Sequence, residues 1–269
     1  MNRRVKTIVI VCVSAALLVG IGIAGTWLGE APADFQAKGL APSLAHPFGT
    51  DWLGRDIFLR TIKGLSVSLF IGLLASCISA VMAVLIGTVA ATMPRWVDEA
   101  VNWLIDLVMG IPHIVLILLI SFAAGKGLKG VLIGVALTHW TSMARLMRSE
   151  VLEIRGQHYL KVARNFGRSR IYLMRRHILP HLLPQFVVGL ILLFPHAILH
   201  ESAITFLGFG LSPEQAAIGV MLSESMKYLT SGMWWAAFFP GLSLVLMVML
   251  IDALGENLRA LADPYSANQ

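Results

Sequence analysis

The sequence predicts an all-α integral membrane protein with six transmembrane helices in a single domain, residues 1–269. Two observations predict this class. Of the 269 residues, 57% are hydrophobic and only 13% are charged, and the mean hydropathy is +0.77. The apolar residues also form long blocks with charge at their ends, which is typical of helices that cross a hydrocarbon core of about 30 Å.

Six blocks have the length of a transmembrane helix, which is about 20 residues. The first block follows the basic sequence MNRRVK and is longer than the apolar part of a signal peptide, so we interpret it as an uncleaved signal anchor. The segment 30–64 is expected outside the membrane core, with an interfacial helix around DIFLRTIKG. The predicted spans are residues 7–29, 65–93, 98–124, 128–145, 181–207 and 234–255.

The distribution of Lys and Arg predicts the orientation of the chain. With the N-terminus inside, the inner segments contain 14 of the 21 Lys and Arg residues, and nine of these lie within residues 145–176. Because positive residues favour the cytoplasmic side, we expect a multi-pass chain in contact with lipid, with both termini in the cytoplasm. The net charge of +6 reflects this topology and does not indicate a nucleic-acid partner.

Motifs that would indicate an enzyme or an ATP-binding protein are incomplete. GKGLKG at 125–130 lacks the spacing and the hydroxyl of a P-loop. HESAI at 200–204 begins like a membrane zinc-protease motif, but Ile204 stands where the second His must lie. A self-contained channel or secondary carrier is an alternative of another class, although the chain has no visible internal repeat. The sequence therefore contains no complete P-loop and no complete zinc-protease motif.

Ionisable residues inside a membrane span are costly, so they normally face the bundle interior or a water path. His196 and His200 are four residues apart and share one helix face, and imidazole suits nickel, cobalt, copper or zinc. They are the candidate metal ligands, while a structural or gating role for them stays open. Asp106 can equally be a hydrogen-bonded packing residue. The ionisable residues in the spans include Asp106, His113, His139, His196, His200 and Glu201, of which Asp106, His196, His200 and Glu201 are the candidates for the substrate path.

The inner segment between the fourth and fifth spans is densely basic and reads YLKVARNFGRSRIYLMRRHILPHLLP over residues 159–184. This sequence predicts short amphipathic helices that break at Gly156 and Gly167. Pro180 and Pro184 fall in the first turns of the next helix, where Pro is tolerated. The charge alone is also compatible with a loop that lies on anionic lipid.

YLKVARNFG followed by RRHILP resembles the cytoplasmic coupling loop of ABC importer permeases. Loops of that family carry Glu-Ala-Ala, a Gly four residues after the second Ala, and a closing Leu-Pro. Here Lys161 and Val162 replace the first two residues of the motif. The resemblance implies that residues 146–180 dock on an ATPase subunit, through a set that comprises Lys161, Ala163, Gly167, His177, Leu179 and Pro180.

Further segments resemble the peptide/nickel branch of these permeases. HPFGTDWLGRDIFLRTIKGLSVSL, residues 46–69, is similar to the segment that joins the first two helices of that branch. ESAITFLGFGL and FFPGLSLVLMVMLIDALGENLRALADP are similar to its fifth and sixth helices. Many peptide permeases carry Pro-Pro-Thr-Pro-x-Trp-Gly after the fifth helix, whereas this chain keeps only Pro213 and Gly219 there. In this feature it looks closer to permeases for nickel, cobalt or metal chelates.

The resemblance implies a type I ABC importer permease fold and a location in the bacterial cytoplasmic (inner) membrane. It also implies a pore subunit that is not an enzyme and has no catalytic residues and no cofactor of its own. Two separate ATPase subunits would bind ATP and Mg, a second and different permease chain would complete the pore, and an extracytoplasmic binding protein would deliver the substrate. We expect that substrate to be nickel, cobalt or another transition metal, free or chelated. The alternative within the family is a di- or oligopeptide.

Overall fold

The computed structural model describes residues 3–262, apart from the side chains of Arg3, Arg164, Arg170, Ile171 and Ala262. Within this range the secondary structure is helical and no β-strand forms. A π-helical turn at Met174–Ile178 leads into α9, and a 3-10 turn at Leu229–Ser231 precedes α11. The α-helices are α1 Arg3–Trp27, α2 Ile57–Thr92, α3 Arg95–Gly110, α4 His113–Ala123, α5 Leu128–Ala136, α6 Trp140–Gly156, α7 His158–Asn165, α8 Arg170–Leu173, α9 Leu179–Phe206, α10 Ile218–Met226 and α11 Trp235–Ala262.

Four helical segments of the described chain are individually long and apolar enough to cross a membrane: α1, α2, α9 with its preceding π-helical turn, and α11. They correspond to the first, second, fifth and sixth predicted spans. α2 begins earlier than predicted because Asp56 caps it, with a carboxylate oxygen that accepts a hydrogen bond from the backbone N–H of Leu59. DIFLRTIKG therefore forms the cap and first turns of α2 and not a separate helix.

The third predicted span is not straight. α3 and α4 are bent by 98° at Ile111 and Pro112. Pro has no backbone N–H to continue the helix, and its ring disfavours a helical conformation in the residue before it. Together the two helices count as one broken span or as a re-entrant segment.

The fourth predicted span, residues 128–145, is divided into α5 and α6, so the prediction of one continuous helix is wrong. The break lies at residues 137–139. Side chains next to it satisfy the carbonyl groups that the break would leave free: the Thr138 hydroxyl donates to Gly134, and the Trp140 indole N–H donates to Leu137. A broken helix at membrane depth is tolerated when its backbone groups find such partners inside the protein.

α4 and α5 pack closely because of the sequence GVLIG. A Cβ atom on Gly130 would lie 2.3 Å from the carbonyl oxygen of Gly125, and one on Gly134 would lie 3.0 Å from that of Ile117. Small residues at this spacing let helix backbones approach each other in a membrane protein. α4 and α5 therefore form a closely packed helix pair that connects α3 to α6 along the chain.

The two ends of α2 show which connecting segments share a side of the bundle. At its beginning, the buried Arg60 binds Asp51 at 2.6 Å and Glu224 at 3.0 Å. These contacts join segment 30–64 to segment 208–232, which lies between the fifth and sixth predicted spans; the predicted topology places both segments outside. At its other end, Arg155 of α6 donates to the carbonyl oxygen of Ala91. The basic end of α6 thus lies opposite the predicted outer segments, while the direction of the bundle in the membrane stays a prediction.

Candidate translocation cavity and coupling loop

A cavity of about 750 Å³ lies where the two broken helical segments meet α9. Its wall comprises the junction of α3 and α4 at residues 108–113, the beginning of α6 with the two residues before it at 138–146, and the middle of α9 at 189–200. Ligand pockets for small molecules typically have about 300–1,000 Å³. The breaks at Pro112 and His139 therefore both border a space of this size, whose wall includes exposed residues such as Met109.

Four histidines line this cavity: His113, His139, His196 and His200. The ring centroids of His113 and His139 are 4.6 Å apart, those of His113 and His200 are 4.8 Å apart, and those of His139 and His200 are 5.1 Å apart. One ring nitrogen from each of these three side chains lies within 4.8 Å of the other two. Three separate elements, α4, the residue before α6, and α9, thus bring three imidazoles together.

His139 is the most deeply buried of the three rings, with 7% of its surface exposed. Its Nδ1 atom lies 2.9 Å from the carbonyl oxygen of Val135. Because a carbonyl oxygen only accepts, Nδ1 must carry the proton, and Nε2 of the neutral ring must carry the lone pair. This Nε2 atom is buried and finds no hydrogen-bond partner among the described residues.

The structure only partly reproduces the predicted pairing of His196 and His200. Both line the cavity, as their spacing on one helix face predicts, but His196 lies outside the group of three close rings. His113 and His139 are the two imidazoles that group most closely with His200 in the described part of the chain. The sequence identified both as costly intramembrane residues but gave no signal that distant helices bring them to His200.

Glu201, predicted as a candidate for the substrate path, is not among the residues that line the cavity. Its side chain is fully buried and accepts hydrogen bonds from the hydroxyls of Ser68 at 2.8 Å, Ser202 at 3.2 Å and Thr205 at 2.9 Å. Ser68 belongs to α2, so this carboxyl group links α2 to α9. Its position one residue after His200 turns it away from the three imidazoles.

Asp106 also lies outside the cavity wall. It forms an ion pair with Arg145 of α6 at 2.5 Å, with 69% of the Asp106 side chain and 47% of the Arg145 side chain exposed. This ion pair links α3 to α6. Neither Asp106 nor Glu201 lines the cavity.

The basic segment folds as predicted, into short helices that break at Gly156 and Gly167. α6 ends at Gly156, and Gly167 separates α7 from α8. One face of these helices is apolar and buried, since Leu160 and Leu173 join the core cluster that contains Met147 and Val151 of α6. The opposite face is exposed and carries Tyr159, Val162, Phe166 and Tyr172, with Phe166 82% exposed.

The conformation of Gly167 explains the turn between α7 and α8. Its φ angle is +76°, in the left-handed region that favours glycine, and a Cβ atom there would have no neighbour within 4 Å. The backbone N–H of Arg168 donates to the carbonyl oxygen of Ala163 at 3.2 Å, which is the Schellman pattern of a helix end. The need for glycine is therefore conformational and does not come from lack of space.

Among the other predicted coupling residues, His177 contacts this exposed face. The His177 ring lies between two tyrosines, 5.8 Å from the ring centroid of Tyr159 and 6.0 Å from that of Tyr172. Lys161, Leu179 and Pro180 are exposed, and Ala163 packs partly against the core cluster. The motif did not predict the aromatic residues, although their spacing on an amphipathic helix is a signal that could have found them.

The model of one protein family matches residues 83–264, a segment that contains the whole cavity wall and the whole basic loop. That family is described as the inner membrane component of binding-protein-dependent transport systems. The chain belongs to this family. The predicted resemblance to ABC importer permeases is therefore confirmed, and the family consists of pore subunits that are not catalytic.

Two relatives of this permease show which branch it resembles. It is 34% identical over 227 residues to the dipeptide transport system permease protein DppC of Bacillus subtilis (strain 168). The aligned region covers 84% of this chain and 71% of the relative. It is 36% identical over 223 residues to a putative peptide transport system permease protein of Brucella suis biovar 1 (strain 1330), which covers 83% of this chain and 75% of the relative. Neither name mentions nickel or cobalt.

A solved structure confirms the predicted fold of the permease. The inward-facing MetNI methionine ABC transporter contains a chain that matches with a TM-score of 0.63 and 17% sequence identity, covering 77% of this chain and 98% of that chain. At this identity the likeness concerns the fold alone. The permease is thus an all-helical multi-pass membrane protein with a type I ABC importer permease fold.

Proposed function

We propose that this chain is one permease subunit of an ATP-driven importer of di- or oligopeptides. The observation that carries the proposal is its 34% identity over 84% of the chain to a permease named for dipeptide transport. The sequence-based preference for nickel or cobalt rested on a missing Pro-rich stretch after the fifth helix, which is a weaker signal. We therefore replace that preference with the peptide alternative.

The cavity is the part of this chain that we assign to the substrate path. Its volume of about 750 Å³ suits a small flexible molecule. The wall is largely apolar, from Met109, Ile111 and Leu192, and Thr141 and Ser142 add hydroxyl groups. Four histidines complete this wall, and its apolar part fits a pore that accepts substrate already selected by a binding protein.

The exposed face of α7 and α8 is the surface that we assign to the ATPase contact. Tyr159, Val162, Phe166 and Tyr172 present apolar and aromatic surface at the basic end of the bundle, where a soluble partner can cover it. In the complete importer, two ATPase subunits bind ATP and Mg, a second permease chain completes the pore, and a binding protein supplies substrate at the other end. This chain contributes no catalytic residue.

The packing of α7 and α8 on α6 supplies a route by which movement at the loop reaches the cavity. Leu160 and Leu173 pack in one cluster with Met147 and Val151. α6 continues from these residues to Thr141 and Leu146 in the cavity wall. Because a packed core transmits displacement with little compression, closure of the ATPases on ATP moves this wall.

Uptake measurements in cells test the peptide assignment. A strain that lacks this chain but keeps its partner subunits should lose uptake of a labelled dipeptide, and a plasmid copy should restore it. Uptake of labelled nickel ion, measured in the same strains, should not depend on this chain. Dipeptide uptake that is unchanged without this chain, together with a loss of nickel uptake, would reverse the assignment.

One observation favours a second candidate, the transport of a transition metal or its chelate. Three cavity-lining imidazoles lie close together, and imidazole is a good ligand for such metals. The same uptake assay separates the two candidates, because a metal importer should lose nickel or metal-chelate uptake and keep dipeptide uptake. The names of the relatives make peptide transport the stronger candidate.

A further inference from the structure

We propose that His113, His139 and His200 form a binding site for one divalent transition-metal ion, such as zinc, nickel, cobalt or copper, in the wall of the cavity. This donor set differs from the pair His196 and His200 that spacing alone suggested. The site does not require the transported molecule to be a metal. It therefore goes beyond the proposed function and is tested independently of it.

The first argument is the position of the donor atoms. One ring nitrogen from each histidine lies within 4.8 Å of the other two. Zinc–imidazole bonds of about 2.0–2.1 Å in tetrahedral geometry place the nitrogens about 3.3 Å apart. The rings thus have to approach each other by at most about 1.5 Å, a shift that side-chain torsions can produce at a cavity wall.

The second argument is the arrangement of His139. Its Nδ1–H group donates to the carbonyl oxygen of Val135 at 2.9 Å, which fixes the orientation of the ring and its tautomer. Metal-binding histidines usually donate their other ring N–H to a carbonyl or carboxylate in this way. The remaining Nε2 lone pair is buried with no hydrogen-bond partner among the described residues, a costly state that a bound cation would relieve.

The third argument is the freedom of the other two rings. His113 and His200 are only partly buried, and their ring nitrogens form no hydrogen bond within the described part of the chain. His113 is the first residue of α4, directly after the bend at Pro112, and His200 lies in α9. One anchored imidazole and two adjustable ones, on three separate elements, are suited to closing around an ion.

The chemistry of the wall selects the class of ion. Among the described residues that line the cavity, none is Asp or Glu, so the ligands are neutral nitrogens. Magnesium and calcium prefer oxygen ligands, whereas imidazole suits zinc, copper, nickel and cobalt. Three protein ligands leave a fourth position of a tetrahedral ion open toward the cavity, where water or a donor atom of the cargo can bind.

Metal binding by the purified importer complex tests this assignment. The complex, isolated with an affinity tag that contains no histidine, is titrated with Co²⁺ while its visible absorption is recorded, and bound Zn²⁺ is counted by elemental analysis after dialysis. The wild-type complex should show the ligand-field bands of nitrogen-coordinated Co²⁺. It should also bind one more Zn²⁺ per copy of this chain than the complex with His139→Gln.

His196→Gln is the matched control, because His196 lines the same cavity but lies outside the group of three. This variant should keep the Co²⁺ bands and the extra Zn²⁺ ion. If His139→Gln lowers the yield of complex, His113→Gln and His200→Gln serve instead, because both side chains are only partly buried; each should lower Co²⁺ affinity at least tenfold.

Equal metal content in the wild type and in all three variants of the group would overturn the proposal, as would loss of binding only in His196→Gln. ATP-driven dipeptide uptake by the same wild-type preparation is measured in parallel. Uptake without metal binding leaves the peptide function intact and rejects the metal site. Metal binding without dipeptide uptake supports the metal site and rejects the peptide function.

Discussion

Arg148 of α6 binds the carboxylate of Asp98 of α3 through two hydrogen bonds, from Nε to Oδ1 at 2.5 Å and from Nη2 to Oδ2 at 2.6 Å. Both side chains are one-quarter exposed. This paired geometry fixes the angle as well as the distance between the two groups. It therefore holds α6 against α3 close to the point where the coupling loop begins.

Replacing Arg148 by Lys should weaken this connection, because an ammonium group cannot make the two parallel hydrogen bonds of a guanidinium. We expect the stability of the purified permease to fall by about 1–2 kcal/mol, measured as a lower midpoint in thermal or denaturant unfolding. Arg145→Lys is the matched control, because the Arg145–Asp106 pair is more exposed and worth less. Equal effects of both variants would contradict a special role for the Arg148 pair.

The left-handed backbone of Gly167 predicts how the coupling loop responds to substitution. Gly167→Val should lower ATP-driven uptake several-fold, because a β-branched residue is strained at a φ of +76°. Gly167→Asn should keep most of the uptake, since Asn tolerates this conformation and no atom obstructs a Cβ there. Both variants should insert in the membrane in normal amounts. Full uptake by Gly167→Val would show that the turn is not needed for coupling.

Glu201 should be a structural residue. Glu201→Ala removes the acceptor of three hydroxyl groups and leaves a buried space, so the amount of assembled permease and its unfolding midpoint should fall. Glu201→Gln keeps the size of the side chain and one acceptor oxygen, and it should lose less. If Glu201→Ala assembles normally but does not transport, the residue has a role in transport that its buried position does not explain.

Cysteine labelling tests the predicted orientation. In a chain with Cys12 and Cys77 replaced by Ser, a cysteine at Ser169 should react with a membrane-impermeant thiol reagent only after the cells are opened. A cysteine at Glu214, which is exposed between α9 and α10, should react in intact cells. The reverse pattern would invert the topology derived from Lys and Arg.

The sequence predicted the parts of the fold that depend on local composition. Hydropathy located α1, α2, α9 and α11, since a long apolar helix is required wherever the chain must cross a membrane unaided. It could not locate the break at residues 137–139, because no Pro or Gly stands there. That break depends on hydrogen bonds from Thr138 and Trp140 that form only when the helix has already turned.

The candidate site was predictable one residue at a time and not as an arrangement. The cost of burying a charge identified His113, His139 and His200 as unusual. Spacing could relate only residues of one helix, which led to the pair His196 and His200. The contacts that matter join α4, the residue before α6, and α9, and their sequence separations are too large for any periodicity to show.

We propose that this chain couples ATP hydrolysis to peptide import through its basic loop. The most direct test is ATP hydrolysis by the complete importer in lipid vesicles, with and without peptide-loaded binding protein. We predict that loaded binding protein stimulates hydrolysis and drives dipeptide accumulation, and that Phe166→Asp, on the exposed face of the loop, abolishes both while the permease remains in the membrane. Dipeptide accumulation by vesicles that lack the ATPase subunits, or full stimulation of the Phe166→Asp complex, would contradict the account.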